Sequence, residues 1–132
     1  MPINSDQDIV LARQKGRSLA AEAGFSAVDS TLIATAISEL ARNIVSYAKK
    51  GEIILQPLHN SHRTGISIVA SDHGPGIPDI RLALRDGFST SGSLGLGLPG
   101  VRRLVDEFQI VSSIGQGTVV KVTKWRPDHR ED

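Results

Sequence analysis

Glycine placement constrains this chain more than any other feature. Of its 13 glycines nine fall in the second half, six of them in Asp72-His-Gly-Pro-Gly-Ile-Pro78 and Ser89-Thr-Ser-Gly-Ser-Leu-Gly-Leu-Gly-Leu-Pro-Gly100, against an aromatic fraction of only 4%. Stretches this rich in glycine and proline break regular structure and suit backbone that passes close to something. They interrupt a chain that is otherwise well patterned.

The patterned parts read as follows. Ser5 to Ala23 predicts a helix with Ile9, Ala12, Leu19, Ala20 and Ala23 toward a core, stopped by Gly24. A second helix starts at Ser26 or Asp29, both plausible caps. It carries Ile33, Ala36, Ile37, Leu40, Ile44 and Tyr47 at three- and four-residue spacing and ends at Lys49-Lys50-Gly51. Glu52–His59 and Gly65–Ser71 predict an antiparallel hairpin. A short helix is expected over Asp79–Arg85, and another from Leu98 to Phe108 with Pro99 in its first turn. Gln109–Ser113 and Thr118–Trp125 predict a second hairpin turned by Gly115-Gln-Gly117, and the charged tail 126–132 is expected to fray. The order predicts an α+β, two-layer α/β sandwich: one mixed or antiparallel sheet with helices on one face, forming a single domain over 1–132.

Composition narrows the function. A formal charge of +1 provides no basic field for nucleic acid, so no nucleic-acid partner is expected. Cysteine is absent, which excludes disulfides and thiolate metal sites. No apolar run reaches the roughly 18–20 residues of a membrane span, and the N-terminus lacks the pattern of a signal peptide. No membrane partner is expected, and the expected compartment is the cytoplasm.

Gly95, Gly97 and Gly100 match G-x-G-x-x-G, yet the familiar readings of that pattern fail. A dinucleotide fingerprint needs a strand before the first glycine and an acidic residue about 20 positions on; Gly115–Val120 holds none. A protein-kinase glycine loop needs Val where Arg102 stands, and a Walker A loop needs a Gly-Lys pair that is absent. Two readings remain open: glycines before a helix presenting bare N–H groups to an anion, or a loop that merely needs positive φ.

Two other segments bear on that choice. Glu39 and Asn43 lie four apart on one face of the second helix, offset from its apolar stripe. Such a pair suits a magnesium–phosphate site, or is a solvated helix face. Asp72, at the end of an apolar strand, can accept a hydrogen bond from an adenine amino group, or caps an Asx turn.

Taken in order, Glu39/Asn43, Asp72-x-Gly74-x-Gly76, Gly95-x-Gly97-x-x-Gly100 and Gly117-Thr118 resemble the N box, two glycine boxes and late G-T of the Bergerat-type (GHKL) ATP-binding fold of gyrase, Hsp90, histidine kinases and MutL. The runs AISELARNI, DHGPGIPDI and DGFSTSGSLGLGLPGVRRLVDEF are similar to those of the stressosome switch kinases, relatives of the anti-sigma-factor serine kinases, across about Asp8 to Trp125. Neither a phospho-accepting histidine domain nor a gyrase-type transducer domain is expected.

That resemblance implies a cytoplasmic protein serine/threonine kinase using ATP and Mg2+. Its substrates would be STAS-domain scaffold or antagonist proteins of the stressosome, and once released it would activate a PP2C-type phosphatase in a stress-response switch. The alternative is an anti-sigma-factor kinase that binds a sigma subunit directly. Glu39 would be the general base and Asn43 the magnesium ligand. Asp72 would hold the adenine amino group, Gly74, Gly76 and Ile77 would shape the pocket, and Thr118 would support the base. Ser89, Thr90 and Ser91 would begin a short ATP lid, while Gly95, Leu96, Gly97, Leu98 and Gly100 would wrap the phosphates. Arg42 and Arg102 would neutralise phosphate charge, Phe88 would pack under the lid, and His73 would be a loop residue.

Overall fold

The computed structural model describes residues 1–60, 62–78, 80–85 and 97–127. β1 (Pro2–Ile3) leads into α1 (Asp6–Glu22), α2 (Ala27–Asn43) and a π-helical turn (Ile44–Ala48). β2 (Gly51–His59), β3 (Thr64–Asp72), α3 (Ile80–Ala83), α4 (Gly97–Leu104), β4 (Glu107–Ser113) and β5 (Gly117–Trp125) follow. The strands form one antiparallel sheet in the order β1-β2-β3-β5-β4, so the expected α+β architecture is present.

The sequence explains the elements locally. Ser5 Oγ accepts the Asp8 N–H at 3.4 Å and Ser26 Oγ the Asp29 N–H at 3.1 Å, so serine caps start both long helices. Ser26, not Asp29, is the cap of α2. Alternation then divides the sheet: Ile53, Ile66, Ile68, Ala70, Val120 and Val122 are buried under the helices with Ile33, Ile37, Leu40 and Val101. Ile54, Val111 and Val119, at the intervening positions, stay exposed. α1 packs on α2 and β2, and α2 packs on α4 and β3.

The structure departs from several expectations. β1 was not foreseen, because two residues carry no readable period; it pairs with the start of β2, buries Ile3 completely, and Met1 donates to the Ile53 carbonyl at 2.8 Å. The second helix does not run unchanged to Lys50. It widens into the π turn at Ile44, and Lys49 ends it at a positive φ (72°) uncommon for a residue other than glycine. Gly51 belongs to β2 rather than to the helix end.

The helix expected through Phe108 stops at Leu104, because Glu107 and Phe108 pair with Thr123 and Val122 of β5. Leu104, Val105 and Phe108 fit a helical period, but the β5 edge offers the backbone a full ladder. The tail is anchored at its start: Arg126 N–H donates to the Thr64 carbonyl at 2.8 Å and its guanidinium to the Ala23 carbonyl at 3.2 Å. Residues 128–132 lie outside the described residues.

Candidate functional site

The site grows from the end of the sheet's inner face. Ladder register sets Gly51, Asp72, Thr118 and Ser112 in one row, one residue from each of β2, β3, β5 and β4. By parity all four follow the core-facing positions, so the row closes the apolar core with polar groups. Asp72 and Thr118 are direct partners across β3 and β5.

Asp72 serves the turn that was the alternative to a ligand role. Its Oδ1 accepts the Gly74 N–H at 2.8 Å, an Asx closure that takes only one of its two carboxylate oxygens. The two readings are therefore compatible. A Cβ on Gly74 would sit 2.6 Å from the Ala48 Cβ, so the first glycine box lies directly against the π turn that prolongs α2. Gly76 has φ +81°, and its neighbour Ile77 donates its N–H to Ser112 Oγ at 2.7 Å. His73 is exposed in the loop, as expected.

Glu39 does not occupy a solvated face. It is 7% exposed, and its carboxylate is engaged at both oxygens. Arg42 Nη1 donates to Oε2 at 2.6 Å, and the Gly97 N–H donates to Oε1 at 3.2 Å. A buried carboxylate needs such partners, and the N-terminus of α4 supplies one of the N–H groups a helix leaves unpaired. Arg42, expected on a phosphate, thus pairs with Glu39 one helical turn away. Arg102 is exposed on α4, and Lys49 and Lys50 are also exposed. Leu98 sends its side chain into the core and Gly100 is buried, so any anion contact there would be through backbone.

Asn43 is the last residue of α2 and half-buried. Mg2+ takes few protein ligands and completes its shell with phosphate oxygens and water, so a single amide oxygen suits it. Among the described residues no group of three or more His, Asp or Glu gathers to hold a metal. The Asn43 amide oxygen fits a cation that brings phosphate ligands with it. Ser89, Thr90, Ser91, Gly95 and Leu96, with Phe88, lie outside the described residues.

Three links thus tie the four motifs together: Glu39 to Gly97, Ala48 to Gly74, and Asp72 to Thr118. A family model for histidine kinase-, DNA gyrase B- and HSP90-like ATPases matches residues 28–128, which contain all of them.

The chain belongs to that ATPase family.

Serine/threonine-protein kinase RsbT of Bacillus subtilis (strain 168) is 55% identical to this family member over 123 residues, covering 93% of the chain and 92% of the relative. The expected enzyme class, a protein serine/threonine kinase, accords with that relationship. An anti-sigma F factor of Thermoanaerobacter sp. (strain X514) is 27% identical over 129 residues, covering 93% and 89%. Among solved structures, the mycobacterial sensor histidine kinase MprB superposes with a TM-score of 0.59 at 19% identity, over 96% of this chain and 98% of that one. The catalytic domain of histidine kinase ThkA gives 0.54 at 17%, over 97% and 95%; both attest the ATPase family's fold.

Sequence reasoning missed Ser112. Its signal was a hydroxyl at the inward parity of Phe108 and Ile110, where the strand otherwise turns apolar groups inward. The Glu39–Gly97 bond had no signal, since it joins residues 58 positions apart.

Proposed function

We propose that this chain is an ATP-dependent serine/threonine-protein kinase that phosphorylates STAS-domain stressosome proteins. Once released, it activates a PP2C-type phosphatase in a cytoplasmic, sigma-factor-regulating stress switch. The observation that carries the ATP site is the chain of contacts from Thr118 through Asp72 and Gly74 to the π turn, and from Glu39 to Gly97. The kinase activity and the switch are supported by the relationship to RsbT.

In this reading Asp72 and Thr118 take the adenine, and the glycines at α4 take the phosphates. Glu39 accepts the proton of a substrate Ser or Thr hydroxyl whose oxygen attacks the γ-phosphorus, and ADP leaves. For that, Glu39 Oε1 gives up the Gly97 N–H to a phosphate oxygen, while Arg42 keeps the carboxylate aimed. Asn43 would hold Mg2+, which would supply charge neutralisation at the transferring group. The chain's own contribution is positioning and electrostatic complementarity.

The test is transfer of label from γ-labelled ATP, with magnesium, to a STAS-domain partner, beside Glu39→Ala and Asn43→Ala. Both variants are expected to lose transfer. No transfer by the unaltered chain sinks the kinase reading.

A second reading, capture of a sigma subunit, is favoured by the match to anti-sigma F factors over 93% of the chain. A stable complex in a sigma-factor pull-down would establish it.

A further inference from the structure

Among the described residues Ser112 Oγ makes three polar contacts: it accepts the Ile77 N–H at 2.7 Å, lies 3.2 Å from the Gly117 carbonyl oxygen, and lies 2.7 Å from Thr118 Oγ1. A hydroxyl has one proton and two lone pairs. Ile77 takes one lone pair, and the Gly117 carbonyl can only accept, so it takes the proton. The remaining contact is satisfied when Thr118 donates its own proton to Ser112. Any other arrangement abandons one of the three bonds. Thr118 Oγ1 is then left with lone pairs alone to offer a ligand. Its direct ladder partner Asp72 is likewise an acceptor.

We propose that Ser112 is a specificity-determining positioning residue: by holding the Thr118 proton, it turns the Asp72–Thr118 pair into an acceptor-only surface that takes a 6-amino purine and rejects a 6-oxo purine. The inference rests on the proposed nucleotide site and adds the residue that sets its selectivity. Without Ser112 the Thr118 hydroxyl is free to rotate and donate to a 6-oxo group, leaving Asp72 as the sole discriminator.

The test measures binding of ATP and inosine triphosphate to the full chain by calorimetry, for the unaltered protein, Ser112→Ala, Thr118→Val and the double variant. The unaltered chain is expected to prefer ATP by about tenfold or more, the scale of one mismatched hydrogen-bond group. Ser112→Ala narrows that ratio by about threefold or more. Thr118→Val narrows it as well, and adding Ser112→Ala to Thr118→Val changes the ratio no further. A merely structural role for Ser112 would weaken both nucleotides equally. An unchanged ratio in Ser112→Ala, or an effect of that substitution that persists in the Thr118→Val background, overturns the assignment. Should Ser112→Ala not fold, a Thr118→Val ratio equal to that of the unaltered chain overturns it alone. Failure of the unaltered chain to bind either nucleotide overturns the ATP reading itself, and this inference with it.

Discussion

Glu39 Oε1 accepts the Gly97 N–H at 3.2 Å, so the carboxylate on α2 caps the helix that follows the second glycine motif. In the proposed site a nucleotide phosphate would compete with this carboxylate for one donor. Glu39→Gln keeps an oxygen for Gly97 but removes the proposed base. Label transfer is expected to fall by about 10²–10⁴. Stability, read from thermal unfolding, should stay within about 1 kcal/mol. Transfer retained at the level of the unaltered chain would remove Glu39 from the chemistry.

Arg42 holds the other oxygen of Glu39 at 2.6 Å, with the acid side chain 9% and the base 39% exposed. Among the described residues, Arg42→Ala leaves the buried carboxylate with only the Gly97 N–H. A loss of about 1–3 kcal/mol in urea unfolding is expected, and it should shrink when Glu39→Gln is added. Additive losses would mean the pair is not coupled.

Asp72→Asn separates the turn from the ligand role. An amide oxygen can still accept the Gly74 N–H, which now bonds Oδ1 at 2.8 Å, so the melting curve should be nearly unchanged. In the proposed site the amide NH2 would face the 6-amino donor of ATP, and affinity is expected to drop about tenfold or more by calorimetry. Unaltered ATP affinity would place the base elsewhere.

Gly76 and Gly115 share positive φ, +81° and +80°, but differ in space. A Cβ on Gly115 meets nothing within 4 Å, whereas one on Gly76 runs into the Ser113 carbonyl. Alanine at either position carries left-handed strain of about 1–2 kcal/mol. Gly76→Ala should cost about 1–3 kcal/mol more, the penalty of overpacking, in chemical denaturation. Equal losses would show that the β4 end yields freely.

Much of this arrangement was legible in the sequence, for local reasons. Serine caps, apolar spacing and glycine breaks act over a few residues, so α1, α2 and both hairpins follow from them. Glu39, Asn43, Asp72, Gly74 and Thr118 stood out by their order along the chain, which needs no coordinates.

What the sequence by itself determined is the family, the alternation that gives the sheet an inner face, and the identity of the groups at the end of that face. Tertiary structure alone decided which of them meet. Phe108 fits a helix by spacing but joins β4, because pairing with β5 satisfies its backbone along a whole ladder. Glu39 fits an exposed face but is buried, because α4 brings an unpaired N–H to it from 58 residues away. Ser112 enters the site only once β4 lies beside β5. These outcomes turn on partners distant along the chain, and a local pattern carries no record of which distant donor or strand edge will arrive.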